Sequence, residues 1–291
     1  MNELSADPAV VAVASGKGRA DENFPVGSRL ISARLRPHVH AYYAFARAID
    51  DIADNSRIAP EDKLARLGAM RAAVLGQTPA PGVAHADEIA CAERLRRSLT
   101  ETGVSAEVAT DLIVAFERDA TQARTGSWDD LLDYCRYSAN PVGRYLLALH
   151  GEGPAPLAAS DALCTALQIL NHLQDCAEDL ALLDRCYIPL DWLAAEGLDV
   201  EALHEHAASV GLRRVMDRML DGVDQLHRQA RRLPRSVRDR RMRLEAAVIV
   251  QLSHRLAARL RWGDPLAARV KLTRFDVGRS LLRGLATGLL R

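Results

Sequence analysis

The chain has 291 residues, 48% of them hydrophobic, which is enough to bury a substantial core in one large domain or two small ones. Its 38 basic and 38 acidic residues cancel, so no overall field attracts nucleic acid or a membrane. Five cysteines without a CxxC pair indicate buried thiols in a reducing compartment, and exclude a disulfide framework or a zinc site. The sequence contains no signal peptide and no uncharged apolar run of about 18 residues, so we expect a cytoplasmic protein.

Helical periodicity runs through almost the whole chain, with little of the apolar–polar alternation that is typical of β-strands. Prolines and glycines divide it into roughly eight to ten helical segments. We expect residues 1–21 to form a flexible N-terminus, because small residues predominate there. No boundary interrupts the remainder, so residues 22–291 are predicted to form one all-α domain.

The first strong helix is predicted to begin at Pro37 and to end near a short acidic motif. Residues 84–101 and 105–124 are typical of amphipathic packing helices. Residues 161–183 form another strong segment, and a second acidic motif lies at its C-terminal end.

The first acidic motif contains Asp50 and Asp54, and the second contains Asp175 and Asp179. Residues four apart share one face of a helix, where two like charges are destabilising, so folding alone favours neither pair. Asn171 precedes Asp175 by four residues and extends the second row of oxygen donors. Two such motifs facing each other would suit Mg²⁺, which binds a few carboxylates together with the phosphate oxygens of a substrate. The pattern therefore indicates diphosphate chemistry, and a solvated acidic surface is the alternative explanation of each motif by itself.

Arg47 precedes Asp50 by three residues and therefore lies on the same side of the first helix. Its planar guanidinium group suits a diphosphate held beside the metal ions. The same spacing equally suits a local ion pair with Asp50 or Asp51. Both interpretations of Arg47 remain open from the sequence.

Four stretches of the sequence carry a resemblance to a known family. They are residues 43–54 (YAFARAIDDIAD), 134–137 (YCRY), 171–179 (NHLQDCAED) and 185–189 (RCYIP). In this order and spacing they resemble the squalene/phytoene synthase family, from Asn23 to at least Pro189. The resemblance implies the all-α isoprenoid synthase (terpenoid synthase) fold, a single-domain helical bundle whose central apolar cavity is capped by two aspartate-rich helices. It also implies magnesium-assisted loss of diphosphate from a prenyl diphosphate substrate.

Carried over by position, the resemblance also implies roles for individual side chains. Five oxygen-bearing residues would be magnesium ligands: Asp50, Asp54, Asn171, Asp175 and Asp179. Four residues would contact or close over the diphosphate: Tyr43, Arg47, Arg185 and Tyr187. Tyr134 would lie near the reacting carbons, and the alternative for both Tyr134 and Tyr43 is a buried helix aromatic with a satisfied hydroxyl.

Three departures from the family pattern narrow the expected reaction. Gln174 stands where the family usually has an arginine, just before the first aspartate of its second motif. Residues 22–27 (ENFPVG) replace a run that usually begins with lysine or arginine, and Asn140–Pro141 replaces a small Ala–Gly pair. Two positive charges are lost in this way, and an enzyme that holds one diphosphate needs fewer cations than one that joins two diphosphate substrates.

The neutral amides of Gln174 and Asn140 would instead orient a water molecule, and Asn23 would contact the substrate. This pattern resembles the branch of the family from bacterial hopanoid pathways, which ionises presqualene diphosphate and captures the rearranged cation with water to give hydroxysqualene. One alternative is head-to-head condensation of two prenyl diphosphates to presqualene diphosphate, squalene or phytoene. An alternative of another class is a non-catalytic helical assembly subunit, against which the intact acidic motifs argue.

The arginine-rich segment 213–243 has two interpretations. An oily substrate and product would make peripheral contact with the inner membrane reasonable, and this segment would then lie against anionic lipid. The alternative, which the sequence favours, is a solvated helix face paired with Asp217, Asp221, Asp224 and Asp239. Functional coupling to other enzymes of the squalene pathway is left open.

Overall fold

The computed structural model describes residues 31–289, and within them it contains twelve α-helices and one short 3₁₀ helix but no regular strand. The α-helices are α1 (Arg36–Ala53), α2 (Pro60–Val74), α3 (Ala86–Thr102), α4 (Glu107–Thr121), α5 (Trp128–Ser138), α6 (Asn140–Leu149), α7 (Leu157–Leu183), α8 (Leu190–Ala195), α9 (Val210–Ala230), α10 (Leu233–Ser236), α11 (Arg240–Trp262) and α12 (Arg274–Leu289). The 3₁₀ helix spans Val200–His204. The predicted flexible segment 1–21, the predicted start of the domain at residue 22 and the predicted substrate contact Asn23 lie outside the described residues.

The predicted all-α fold is confirmed, and the four helices that the sequence placed individually lie close to their predicted positions. A proline lies in the first turn of α1. The two predicted packing helices correspond to α3 and α4. Helix α7 ends at Leu183, as expected. The structure adds α8, α10 and the 3₁₀ helix, which are four to six residues long. Segments of that length are too short to show a helical period in the sequence.

Helix α7 is the central element of the core. It packs against α5, α6, α9 and α11, and buried side chains occur on most of its circumference. Helices α1 to α4 form a second packed group with their own apolar cluster. Because α4 packs against both α1 and α5, and α5 packs against α7, these helices hold α1 and α7 on two sides of a common space.

The last two long helices, α11 and α12, form an antiparallel pair with a close backbone approach. A Cβ atom added to Gly284 would lie 2.6 Å from the Cα atom of Val248, so only glycine fits there without displacement. Near the other end of the pair, the buried carboxylate of Asp276 contacts the guanidinium groups of Arg255 and Arg259, at 2.5 and 2.7 Å. These contacts fix α12 against α11 along most of its length.

Glu245 is a buried acid within α11. Its side chain is 4% exposed, and its Oε1 atom has no hydrogen-bond partner between residues 31 and 289. Burial raises the pKa of Glu245 from 4.5 to about 7. The folded protein therefore binds this proton more tightly than the unfolded chain does, and its stability falls as pH rises between these two values.

We expect Glu245→Gln to remove this loss of stability. The neutral amide should leave the free energy of unfolding nearly unchanged at about pH 5 and raise it by about 1–3 kcal/mol at about pH 8. Urea titrations of both proteins at the two pH values measure this difference, and the comparison cancels every other group that titrates. A pH-independent difference between the two proteins would contradict the buried-acid explanation.

Candidate active site

A cavity of about 190 Å³ opens between α1, α4, α5, α7 and the segment that follows α7. Six acidic residues line it: Asp50, Asp54, Asp119, Asp175, Glu178 and Asp179. Asn171 also faces it, so all five predicted magnesium ligands lie around one space. Most of the lining residues carry polar or charged groups, while Phe116, Leu182, Leu183 and the rings of Tyr134 and Tyr187 give the cavity its apolar surface.

Helix α1 brings Asp50 and Asp54 to the cavity through the predicted i, i+4 spacing. The carboxylate of Asp50 is nearly buried, and its pKa is raised to about 8, chiefly by burial and next by the charge of Asp54. Arg47 opposes this rise, because its Nη1 atom lies 2.8 Å from Oδ2 of Asp50. Its Nη2 atom lies 2.7 Å from Oδ1 of Asp51, so the local ion pair is formed in this structure. The predicted diphosphate contact of Arg47 stays a prediction, as does that of Tyr43, which is half-buried on α1.

Helix α7 presents Asn171, Asp175 and Asp179 to the cavity from one face. Arg269, in the segment between α11 and α12, reaches this face. Its Nε atom lies 3.1 Å from Oδ1 of Asp175, and its Nη2 atom donates to Oδ2 at 3.3 Å. The sequence analysis missed Arg269, because 94 residues separate it from its partner and no local pattern marks it.

The two amides that were predicted to orient water are not brought to this cavity. Gln174 lies next to Asp175 in sequence, but one residue rotates the helix by about 100°. Its Nε2 atom donates to the carbonyl oxygen of Val270 at 2.5 Å. Asn140 is buried at the start of α6, where its Oδ1 atom accepts a hydrogen bond of 3.0 Å from Thr165. Both amides therefore serve contacts between elements in this structure.

Asp119 on α4 joins two of the predicted site residues. Its carboxylate accepts hydrogen bonds of 2.8 Å from both Tyr134 and Tyr187, whose hydroxyl oxygens are 3.4 Å apart. Burial raises the pKa of Asp119, while the charge of Arg185 and the two phenol donors oppose that rise. The sequence analysis did not single out Asp119, although it lies three and four residues after the buried Phe116 and Ala115. A carboxylate on the apolar face of an amphipathic helix is the signal that was available.

A short extended segment places Arg185 and Tyr187 at the cavity. Helix α7 ends where Asp184 adopts a left-handed conformation (φ 53°), and the chain then pairs with residues 123–125. The amide of Cys186 donates to the carbonyl of Ala123 at 2.9 Å, and the carbonyl of Cys186 accepts from Thr125 at 3.0 Å. Alternation along extended backbone directs residues 185 and 187 to one side and buries Cys186 on the other.

Arg185 ties the two acidic helices together. It lies directly after α7, and its guanidinium group forms a short ion pair with Asp54 and donates to the carbonyl oxygen of Ala53 at 3.0 Å. The contact spans 131 residues of sequence and connects the end of α1 with the end of α7. Each acidic motif thus has at least one aspartate engaged by an arginine.

The donor set of this cavity fits Mg²⁺ held together with a diphosphate. Among residues 31–289, no three His, Cys, Asp or Glu side chains lie close enough to hold a metal ion by themselves. The groups that face the cavity are carboxylate and amide oxygens, the donors that magnesium prefers. Burial and the charge of Asp54 raise the pKa of Asp50, so added positive charge between these carboxylates would favour its ionised form. Cations bound by these oxygens would supply that charge.

Comparison with known proteins places this chain in a family. The family model of squalene/phytoene synthases matches residues 17–276. A hydroxysqualene synthase from Zymomonas mobilis is 40% identical over 271 residues, covering 92% of this chain and 87% of the relative. Proteins of the same name from Rhodopseudomonas palustris and Sinorhizobium fredii are 41% and 38% identical, over 89% and 91% of this chain and 86% and 87% of their own lengths.

Solved structures give the same result. The squalene synthase HpnC from Alicyclobacillus acidocaldarius superposes with a TM-score of 0.70 at 32% identity, covering 82% of this chain and 88% of that chain. A dehydrosqualene synthase shares the fold, with a TM-score of 0.69 at 18% identity and 87% of each chain covered. The chain therefore belongs to the squalene/phytoene synthase family. It is an enzyme of that family, whose members act on prenyl diphosphates.

One further structural finding concerns membranes. Within residues 31–289, none of the helices combines the length and the apolar character that crossing a bilayer requires.

We expect Asp119→Asn to lower kcat by about 10–100-fold and to change KM less, because small displacements of Tyr134 and Tyr187 misalign the reacting groups. Steady-state kinetics with the prenyl diphosphate substrate and Mg²⁺ measure both constants. Asp133→Asn is a matched control, because the Asp133 carboxylate is exposed, pairs with Arg118 and does not line the cavity. Equal kcat values for the two variants would show that the tyrosines do not depend on Asp119.

Proposed function

We propose that this protein is a hydroxysqualene synthase, which ionises presqualene diphosphate and captures the rearranged cation with water to give hydroxysqualene and diphosphate. The observation that carries the proposal is the pair of acidic motifs on α1 and α7 that face one cavity beside Tyr134. Relatives of that name at 38–41% identity over about nine-tenths of the chain support it. The enzyme would then act between a reaction that forms presqualene diphosphate and one that consumes hydroxysqualene.

The residues that would hold Mg²⁺ are the five oxygen donors of the cavity: Asp50, Asp54, Asn171, Asp175 and Asp179. Bound Mg²⁺ supplies positive charge that stabilises the leaving diphosphate. The carboxylates contribute by holding this charge at the polar end of the cavity.

Arginine side chains would take part in binding the diphosphate. Arg47, Arg185 and Arg269 form ion pairs with Asp50, Asp54 and Asp175 in this structure. When substrate and cations enter, each guanidinium group can exchange its carboxylate partner for diphosphate oxygens. This exchange keeps the number of ionic contacts nearly constant and so limits the free-energy cost of opening the site.

Tyr134 would lie beside the reacting carbons with a fixed hydroxyl group. Burial and the neighbouring Asp119 hold the pKa of Tyr134 well above its usual range. Its hydroxyl donates to Asp119, and its ring packs against that of Tyr187 in a tilted arrangement at a centroid distance of 5.1 Å. Such side chains confine the cation and keep stray water away from it.

The assay that tests the function is incubation with Mg²⁺ and either presqualene diphosphate or farnesyl diphosphate, without NADPH. We expect presqualene diphosphate to be converted to hydroxysqualene, as measured by chromatography and mass spectrometry, and farnesyl diphosphate to remain. Consumption of farnesyl diphosphate alone would favour a condensing enzyme. No reaction with either substrate would favour the non-catalytic subunit.

We expect Asp175→Asn to lower turnover by at least about 1,000-fold, because an amide cannot replace a charged metal ligand. Circular dichroism should show the same helix content as the wild type, since the change removes one member of a like-charged pair. Glu178→Gln is the matched control, because Glu178 lines the same cavity but lies outside the predicted ligand set. Full activity of Asp175→Asn would remove the metal-site assignment.

A further inference from the structure

Several buried polar atoms at the cavity, Nδ1 of His172 among them, have no hydrogen-bond partner within residues 31–289, and two of these atoms are oxygens of uncharged side chains. The two oxygens are Oγ of Ser138, at the end of α5, and Oε1 of Gln168, on α7, in residues that are 5% and 4% exposed. An unpaired buried polar group costs about 1–3 kcal/mol, so two of them around one cavity indicate a bound polar molecule. A water molecule is the smallest ligand that donates a hydrogen bond to such an oxygen.

The orientation of Gln168 is set by its neighbours. Its Nε2 atom lies 3.2 Å from Nε2 of His172, so the amide nitrogen is turned toward the histidine and the oxygen is left to the cavity. The ring of His172 stacks on Tyr187 at a centroid distance of 3.7 Å, and its Nδ1 atom lies 4.0 Å from Asp179. Gln168 is therefore held as a hydrogen-bond acceptor that faces the cavity.

We infer that Ser138 and Gln168 hold the water molecule that attacks the carbocation, an inference that rests on the proposed function. A water that donates its protons to Oγ of Ser138 and Oε1 of Gln168 presents its lone pair to the cavity. In the reaction that lone pair forms the new C–O bond, one O–H bond breaks, and the proton passes to the released diphosphate. No oxidant or reductant is required.

Ser138 and Gln168 are not the residues that the sequence predicted to orient water. Asn140 and Gln174 are neutral where the family pattern has other residues, but their side chains form hydrogen bonds with Thr165 and with the backbone of Val270, and neither lines the cavity. Ser138 and Gln168 lie near the same motifs and do line the cavity. Water capture is thus assigned to Ser138 and Gln168, which are not among the positions where this sequence was found to differ from the family pattern.

The test is the product distribution from presqualene diphosphate. In Gln168→Met combined with Ser138→Ala, the cation should lose a proton or recombine with diphosphate instead of gaining water. We expect the ratio of hydroxysqualene to unhydroxylated products to fall by about tenfold or more. Gln168→Glu, which keeps an acceptor oxygen, should restore much of the ratio. Asn140→Ala and Gln174→Met are controls that should leave the ratio unchanged.

Each outcome has one meaning. A variant pair that still forms mainly hydroxysqualene overturns the inference, as does a change of ratio in the Gln174→Met control alone. If the wild-type protein leaves presqualene diphosphate untouched, the proposed function fails, and this result is distinct from an unchanged product ratio. Thermal melting of each variant separates loss of fold from loss of water capture.

A second, independent observation concerns the outer face of α12. Phe275, Leu282 and Leu289 recur every seven residues, so they form one line along the helix. Their side chains are 73%, 73% and 58% exposed. The opposite side of α12 packs against α11 through buried residues that include Gly284 and Gly288.

The exposed charged residues of α12 are all arginines. Its only acidic residue, Asp276, is buried and paired with arginines of α11. Arg274, Arg279 and Arg283 are exposed, and no ion pair involves them within the part of the chain that the structure describes. Trp262, the last residue of α11, is 94% exposed and precedes the first residue of α12 by 12 positions in the chain.

We propose that the outer face of α12, with Trp262, docks on a bilayer surface that contains anionic lipid. An apolar stripe flanked by arginines is the pattern of a helix that lies in the plane of such a surface, and an exposed tryptophan suits the interface. A second copy of the chain fits less well, because a two-fold contact would bring these arginines against one another.

The docking face differs from the arginine-rich segment 213–243 that the sequence suggested. In that segment Arg213 pairs with Asp217 at 2.7 Å, Arg214 pairs with Glu196 at 2.5 Å, and Arg218 covers the ring of Trp192. Its side chains are thus partly engaged within the protein. Docking through α12 would also bring lipid close to the segment 263–273, whose Arg269 contacts Asp175.

Co-sedimentation with vesicles tests the docking. Vesicles of phosphatidylcholine with about 30% phosphatidylglycerol should bind the wild type, and pure phosphatidylcholine should bind it about tenfold less or weaker. Phe275→Ser with Leu282→Ser, and separately Arg279→Ser with Arg283→Ser, should each weaken binding by about tenfold or more. Val210→Ser is the apolar control on α9, and Arg240→Ser with Arg241→Ser is the charge control at the start of α11.

Absence of wild-type binding to the anionic vesicles would overturn the docking proposal. Loss of binding in the Arg240/Arg241 control, with the α12 variants intact, would move the contact to the segment 213–243. Concentration-dependent dimerisation that the Phe275/Leu282 variant abolishes, without any vesicle binding, would assign the face to a second copy.

Discussion

The carboxylates around the cavity concentrate negative charge in a partly buried space, and the structure there depends on positive groups that offset this charge. Carboxylates from α1, α4 and α7 converge there, and like charges in a region of low dielectric repel strongly. Arginines from three separate parts of the chain oppose this repulsion: Arg47 on α1, Arg185 after α7 and Arg269 before α12. The arrangement of these elements therefore follows from an electrostatic requirement as much as from apolar packing.

The same compensation prepares the cavity for its ligand. Surface ion pairs contribute little to stability, but pairs with one buried partner, such as Asp175 with Arg269, make a broken contact costly. Cations and diphosphate arriving together can replace both members at once. Asp119 plays a different part, because it accepts hydrogen bonds from Tyr134 and Tyr187 and holds both phenols in place, whereas the proposed function has the arginines change partners. The site thus combines an exchangeable ionic layer with a fixed aromatic one.

The sequence predicted those features that depend on local spacing. The position of Pro37, the end of α7 and the common face of Asn171, Asp175 and Asp179 all follow from helical periodicity. Contacts between distant segments could not be predicted in this way, and Arg269 is the example. Gln174 shows a further limit, because a residue adjacent to a metal-ligand candidate points in a different direction on a helix.

The pairing of Cys186 with residues 123–125 makes the site sensitive to any insertion or deletion in the segment just after α7. Extended backbone alternates sides at every residue, so a one-residue insertion or deletion just after α7 would exchange the two faces of the segment 185–187. A thiol would then face the carboxylates, and a guanidinium group and a phenol would be forced into the core. We therefore expect the number of residues between the second acidic motif and the Arg-Cys-Tyr sequence to tolerate no variation, even where the identities of the intervening residues do.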